Sequence, residues 1–313
     1  MTPRHDDLIF LCGPLRSGTT LTRLLLQQHP QVSTRGESDY YFDDCADALR
    51  RGSDTPEDRA RFAYGLRHAR IPQHQGVRPV EPAPLREMID ALLRQERPAE
   101  GRFLLTLHRH ADLAATLFPE AAFVRLRRDP RDVAISAMKM GWAGNPYYGV
   151  DVWRRSERDW HAAEPLMRGP KVEIGFEEMT ADPRGELGRV LEAIGLPFDE
   201  AVLAPPADST YSAPTAGRNQ AWRGALSERE AREVDWRARD VPDDGRYERR
   251  PEAPSAVRRA ALLAEDKARR QAFGIGRYGL PLYAAEKATR WLNLPGREAV
   301  RRRVHAVDTT HLK

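Results

Sequence analysis

The apolar residues of the chain change period along its length. Residues 7–12 carry an unbroken apolar run that ends in Gly-Pro, the pattern of a short strand buried on both faces of a parallel sheet. The next apolar residues, in LTRLLLQQHP, recur at helical spacing and stop before Pro30, so residues 8–29 predict strand, loop and helix. The same alternation returns after residue 100. RFLLTL (102–107) and AAFVRLRR (121–128) predict strands, with the helix ADLAATLFP between them. Asp129-Pro130 then opens a helix, DPRDVAISAMKM, with Asp at the N-cap and Pro at the first helical position. A long amphipathic helix over 151–167, a fourth strand over 171–176 and a helix over 181–197 follow; the last has Asp182-Pro183 at its start and Gly195 and Pro197 at its end.

Strands alternating with helices imply an α/β fold, a P-loop-type parallel sheet flanked by helices. Between about residues 45 and 100 the chain is polar and lacks sheet alternation. Helical pieces near 57–70 and 84–95 make it a helical insertion. Beyond residue 200 the pattern decays. Residues 204–220 are rich in Pro, Ala and Ser, and residues 228–270 are densely charged with one helical pattern near 255–272. A further helix is expected over 282–291, and the basic run Arg301 to Arg303 is that of a solvated tail. The expected division is a main domain over 1–275 and a basic helical extension over 276–313.

The chain has 313 residues, 41% hydrophobic and 31% charged, with a net charge of +4. Such an excess suits an anionic ligand and is too small to imply nucleic acid. The two cysteines cannot make a disulfide framework or a metal cluster by number, and they imply reduced thiols. No apolar stretch reaches the length of a membrane span, and the N-terminal apolar run is too short for a signal peptide. The chain is therefore expected to be cytoplasmic. Composition says nothing of oligomeric state.

The segment Gly13-Pro14-Leu15-Arg16-Ser17-Gly18-Thr19-Thr20 lies between the first strand and its helix. Backbone N–H groups there, at the positive end of a helix dipole, suit phosphate or sulfate. Gly13 and Gly18 have P-loop spacing, but Thr19 stands where a kinase or ATPase needs a Lys, and the cation is Arg16 instead. A sulfuryl group in transfer carries less negative charge than a phosphoryl group and needs less neutralisation by metal, so the loop favours sulfuryl transfer. A second anion site is expected where Arg128 ends the third strand and Ser136 lies about two turns into the next helix; an arginine fork with a hydroxyl suits a phosphate monoester. A metal-dependent P-loop kinase or nucleotide phosphotransferase, and a non-catalytic nucleotide-binding protein, are the competing readings.

PLRSGTTLTRLLLQQHP resembles the 5′-phosphosulfate loop of the sulfotransferases that use 3′-phosphoadenosine 5′-phosphosulfate (PAPS), and RRDPRDVAIS resembles their 3′-phosphate motif. FEEMTADPRGELGRVLEAIGLPFDE is similar to a later strand-helix unit of that family, and the order RSGTTL, HP, GE is nearest the bacterial and Golgi-type branch that includes the tyrosylprotein sulfotransferases. The resemblance covers residues 8–40 and 100–200. It implies in-line, metal-free transfer from PAPS to a hydroxyl or similar acceptor (small molecule, glycan or peptide), leaving 3′-phosphoadenosine 5′-phosphate (PAP). It implies that Arg16 holds the 5′-phosphosulfate, that Ser17, Gly18, Thr19 and Thr20 cradle it, that Arg128 and Ser136 bind the 3′-phosphate, and that Phe176 stands where many members place a Tyr near adenine. Arg218 and Trp222 fall near the family's cofactor-covering loop.

In-line transfer needs a base for the acceptor proton. Glu37 lies where some branches place a catalytic glutamate, and His108 or His110, after the second expected strand, where others use a histidine. A histidine has the better ordinary pKa, while the wording around Glu37 is closer to the glutamate branch. Asp39, Tyr40, Tyr41, Asp43 and Asp44 form an acidic-aromatic patch that either lines the acceptor site or starts a helix.

Overall fold

The structure, a computed structural model, describes residues 7–215, 219–242, 244–291 and 296–310. The chain divides into two compact units, residues 1–129 with 152–220, and residues 130–151 with 221–313. Residue 275, the expected end of the main domain, falls inside the long helix Ala256–Tyr278.

The first unit is built on five parallel strands in the order β2-β3-β1-β4-β5: β1 (Leu8–Cys12), β2 (Val32–Glu37), β3 (Arg102–Leu107), β4 (Ala122–Arg127) and β5 (Lys171–Gly175). Every residue of β1 is buried because its side chains alternate between two cores. Leu8, Phe10 and Cys12 face one apolar cluster, and Ile9 and Leu11 face the other. The insertion covers the first face. Its helix Leu85–Glu96 buries Leu85, Met88, Ile89, Leu92 and Leu93, a single apolar stripe at helical spacing. Thr55 and Asp58 close a reciprocal capping box at the start of helix Pro56–His68. The second face is covered by helix Thr19–Leu26 and by helix Pro183–Ala193, whose Asp182 side chain accepts from the Gly185 N–H.

Four of the five strands are those expected. The fifth, β2, has the sequence VSTRGE, polar at most positions, and pairs on one side only, with β3. An edge strand needs no apolar run, so its sequence carries no burial signal. Its consequence is that Glu37 is the last residue of a strand rather than part of a loop, opposite Thr106 in the ladder. At the other edge, β5 ends at Gly175, one residue before its expected end, and Phe176 opens a helix, Phe176–Ala181, that the sequence pattern does not indicate.

Among the described residues, the regular elements of the second unit are all helices, joined by loops. Helix Pro130–Lys139 begins at the expected proline. Asn145 caps the short helix Pro146–Gly149 by accepting from the Tyr148 N–H, and its amide donates to the carbonyl of Leu262. Helix Glu228–Arg237 carries a Ser227–Glu230 capping box inside the densely charged stretch. Helices Leu280–Trp291 and Arg297–Thr309 follow, and the Arg301–Arg303 run lies on the second of them. Among the described residues no helix is long and apolar enough to cross a membrane.

Candidate functional site

The C-terminal ends of β1, β2, β3 and β4 form one rim, and almost all the expected site residues of the first unit stand on it. The loop leaves β1 at Gly13, whose N–H donates to the Leu107 carbonyl of β3 (3.1 Å). A Cβ on Gly13 would stand 2.7 Å from the Leu126 carbonyl of β4, so only glycine lets the loop pass there. Ser17 is fully buried and turned inward, its hydroxyl donating to the Pro14 carbonyl (2.6 Å). It therefore braces the loop from inside. Arg16, at the loop's tip, is exposed and has φ 74°, a left-handed conformation that costs a non-glycine residue free energy.

Helix Thr19–Leu26 starts directly after Gly18, and the first intrahelical bond runs from the Thr22 N–H to the Gly18 carbonyl. The N–H groups of Thr19, Thr20 and Leu21 therefore have no partner within the helix and point, with its dipole, toward the loop. These amides and Arg16 form a set of donors suited to a phosphate or phosphosulfate.

Arg128 lies one residue past β4, and its guanidinium donates to the Arg16 carbonyl (2.9 Å) while stacking 4.3 Å from the centroid of the Phe176 ring. Trp153 fixes the Arg128 backbone by donating its indole N–H to the carbonyl (3.1 Å), and the next N–H, of Asp129, is held by the Glu177 carboxylate. Phe176 itself is buried and packs against Gly18, so tightly that a Cβ on Gly18 would come within 2.3 Å of the ring. Thus Arg16, Gly18, Arg128 and Phe176 form one continuous contact. Ser136 lies on helix Pro130–Lys139 of the second unit. In that unit Trp222 stacks 3.8 Å under the Arg131 guanidinium, and its backbone N–H donates to Asp132. Arg218 lies outside the described residues.

The three proposed bases have different surroundings. Glu37 is half-buried at the end of β2, its carbonyl accepting from the Gln75 amide (3.0 Å); among the described residues its carboxylate makes no hydrogen bond. His108 is buried, and both ring nitrogens are engaged. Nδ1 donates to Asp39 Oδ2 (2.8 Å), and Nε2 lies 3.0 Å from the hydroxyl of Thr19, which follows the loop after β1. Asp39 Oδ1 also accepts the backbone N–H groups of His108 (2.8 Å) and Arg109 (3.2 Å). Burial by itself raises a carboxyl pKa. The charge and hydrogen bonds of His108, with Arg109, outweigh it and hold Asp39 below the usual carboxylate range. For His108, burial pulls the imidazole down, and the Asp39 charge and hydrogen bond more than reverse this, so the net shift is upward.

His110 belongs to a different network. Arg50 donates to its Nδ1 (3.1 Å), so Nε2 carries the proton that faces Asp43 (3.1 Å). Arg109 forks onto the same Asp43, and Arg50 onto Asp112. The structure thus brings His108, and not His110, onto the loop after β1. It also resolves the acidic-aromatic patch. Asp39–Tyr41 form a single 3-10 turn, Tyr40 and Tyr41 both donate to the Glu96 carboxylate (2.8 Å each), and the patch is largely internal scaffold. The role of Asp39 as the partner of His108 has no sequence signal of its own, because 69 positions separate the two.

A family model described as "Sulfotransferase family" matches residues 7–200. An uncharacterized protein of Aquifex aeolicus (strain VF5) is 26% identical over 222 residues, covering 62% of this chain; the chain spans 26% of that relative's length. Among solved structures, the sulfotransferase domain from the Synechococcus PCC 7002 olefin synthase superposes with a TM-score of 0.53 at 20% identity, covering 73% of this chain and 92% of that one. Retinol dehydratase in complex with androsterone and the inactive cofactor PAP gives 0.45 at 15% identity, over 79% of this chain and 83% of that one. The family match spans all five strands, the loop after β1 and the rim residues from Gly13 to Phe176, and the chain belongs to the sulfotransferase family.

Proposed function

We propose that the chain transfers the sulfuryl group of PAPS to a hydroxyl-bearing acceptor, using the rim of the first unit as its donor site. The observation that carries this reading is the contact of Arg128 with the anion loop: a second cation, from another strand end, meets the loop at 2.9 Å. A ligand with anionic groups at both ends of an adenosine needs two such centres at one edge of a sheet. The donor set fits: helix-terminal amides, hydroxyls and arginines, with a glycine where a Cβ would strike β4. Bound there, PAPS supplies a sulfuryl group on a phosphate leaving group.

Arg16 and the loop amides hold the phosphosulfate end, with Ser17 bracing the turn from within and Gly18, Thr19 and Thr20 forming the cradle. Arg128 takes the 3′-phosphate end; the assignment of Ser136 to the same phosphate rests on the sequence motif. Phe176 offers an apolar face to the adenine region, without the hydroxyl a Tyr would add. Arg218 and Trp222 keep the covering-loop role that the sequence gives them. Glu37 is the acceptor's base. Its carboxylate has no hydrogen-bond partner among the described residues, whereas His108 and His110 have both ring nitrogens engaged. The kinase reading is disfavoured by Thr19, which stands in place of the P-loop Lys and whose hydroxyl pairs with His108 Nε2.

Thermal shift tests the reading. Stabilisation by PAP without magnesium is expected, and stabilisation by ATP with magnesium alone overturns it. Transfer from labelled PAPS across a panel of small-molecule, glycan and peptide alcohols then identifies the acceptor.

A further inference from the structure

The Thr19 hydroxyl of the loop lies 3.0 Å from a titratable side chain, that of His108, which is tied in turn to the buried carboxylate of Asp39. We propose that Asp39 and His108 together make the Thr19 hydroxyl a charge-assisted donor toward an anion in the loop, so that a proton on His108 Nε2 strengthens binding of the phosphosulfate end. The inference rests on the loop being the phosphosulfate site.

The direction of each bond follows from its chemistry. An ionised Asp39 can only accept, so Nδ1 carries a proton permanently. Nε2 then has two states. Without a proton it accepts from the Thr19 O–H, which turns that hydrogen away from the loop. With a proton it donates to the Thr19 oxygen, and the hydroxyl hydrogen is released to an anion in the cradle. Protonation also places a positive charge one hydroxyl away from that anion, in a site sealed from water: the His108 side chain is 2% exposed and that of Asp39 8%. Asp39 is thereby a positioning residue. It accepts from the imidazole Nδ1–H and from the backbone N–H groups of His108 and Arg109, and so fixes the ring and supports its charge from the side away from Thr19.

Other charged groups surround the imidazole. Glu37 favours its protonation and Arg109 opposes it. A small cavity behind His108 is shared with Arg125, Glu157 and Asp159. Arg125 is paired with Glu157, while burial and a hydrogen bond with Asp112 push Asp159 up to about 6. Asp159 therefore titrates where a histidine does and needs its own control.

The experiment is PAP affinity by calorimetry from pH 5.5 to 9, with wild type, Asp39→Asn, Thr19→Val, Thr19→Ser and Asp159→Asn. Both phosphate monoesters of PAP titrate in this range as well, and Thr19→Val supplies the baseline that keeps those titrations and the charge of His108 while removing the hydroxyl link between them. Relative to this baseline, wild type is expected to bind about ten-fold tighter at low pH and to lose the advantage as pH rises through the His108 pKa. Thr19→Ser keeps the step, Asp39→Asn moves it to lower pH, and Asp159→Asn leaves it in place. If wild type and Thr19→Val run parallel across the range, or if Asp39→Asn leaves the step unmoved, the inference is wrong while PAP binding still stands. If wild type binds no PAP at any pH, the donor-site reading itself has failed.

Discussion

The guanidinium of Arg128 donates to the backbone carbonyl of Arg16, 112 positions earlier in the chain, so the end of β4 and the loop after β1 are joined directly. The contact uses one arm of a planar fork, and the ring of Phe176 beneath it sets the plane. This geometry is specific to arginine. A lysine at 128 keeps the charge but loses both the stacking plane and the paired donors.

Arg128→Ala is therefore expected to weaken PAP binding about a hundred-fold, on the scale of losing charge-assisted hydrogen bonds to a phosphate, and Arg128→Lys to recover only part of it. Titration calorimetry measures both. Adenosine 5′-phosphosulfate, which lacks the 3′-phosphate, should lose far less affinity on the same substitution. Equal losses for the two ligands would move Arg128 away from the 3′-phosphate.

Glu37→Gln should lower kcat by about a hundred- to ten-thousand-fold, the usual contribution of a positioned base, and leave PAP affinity nearly unchanged. Gln preserves shape and removes only the ability to take a proton. A variant that keeps wild-type turnover excludes Glu37. His108→Gln separates the two roles: it should act chiefly on donor affinity, because its partner is the loop hydroxyl. A loss confined to kcat would make His108 the base.

The sheet was legible wherever a strand is buried on both faces. LIFLC and RFLLTL have no polar side on which to turn, and β1 and β3 are where they were expected. The strand VSTRGE escaped because an edge strand pairs on one side and tolerates Ser, Thr and Arg facing water. The loop and Arg128 could be found because glycine spacing and strand-end position are local properties. Asp39 could not. It resembles its acidic neighbours in sequence, and its partnership with His108 exists only because β2 and β3 lie side by side.

The two cysteines predict a further outcome. Cys12 is buried on β1, and burial, with the nearby charges of Asp159 and Asp39, raises its thiol pKa well above the ordinary value. Burial, with Asp44 and Asp43 beside it, pushes Cys45 up to about 12. Neither forms thiolate near neutrality, so a thiol reagent should label neither in the native state and both after denaturation. Rapid native labelling of Cys12 would show that β1 is open to solvent.

The Asp39–His108 pair also makes stability depend on pH. His108 has its folded pKa raised, so its contribution is complete below about pH 6.5 and fades as pH rises through the folded value. Asp39 has its folded pKa lowered, so its contribution is present above about pH 3.9 and fades as pH falls through the folded value. The difference in unfolding free energy between wild type and Asp39→Asn should therefore be widest between those limits and narrow on both sides. Urea titrations at several pH values measure it, and a difference that stays flat with pH would mean that the pair is not ionised in the folded chain.

Gly18 tests the packing beneath the loop. Its φ of 101° lies where an L-residue is strained, and an added Cβ would stand 2.3 Å from Cδ2 of Phe176. Gly18→Ala should therefore cost about 1–3 kcal/mol in backbone strain and a similar amount in overpacking. Phe176→Leu in the same chain removes the ring edge and should return the second part but not the first. A double-mutant cycle in urea separates the two, and a coupling energy well above experimental error is expected. If the two substitutions are simply additive, the Phe176 ring does not rest on Gly18 in solution, and the apolar floor assigned to the adenine end of the site is displaced with it.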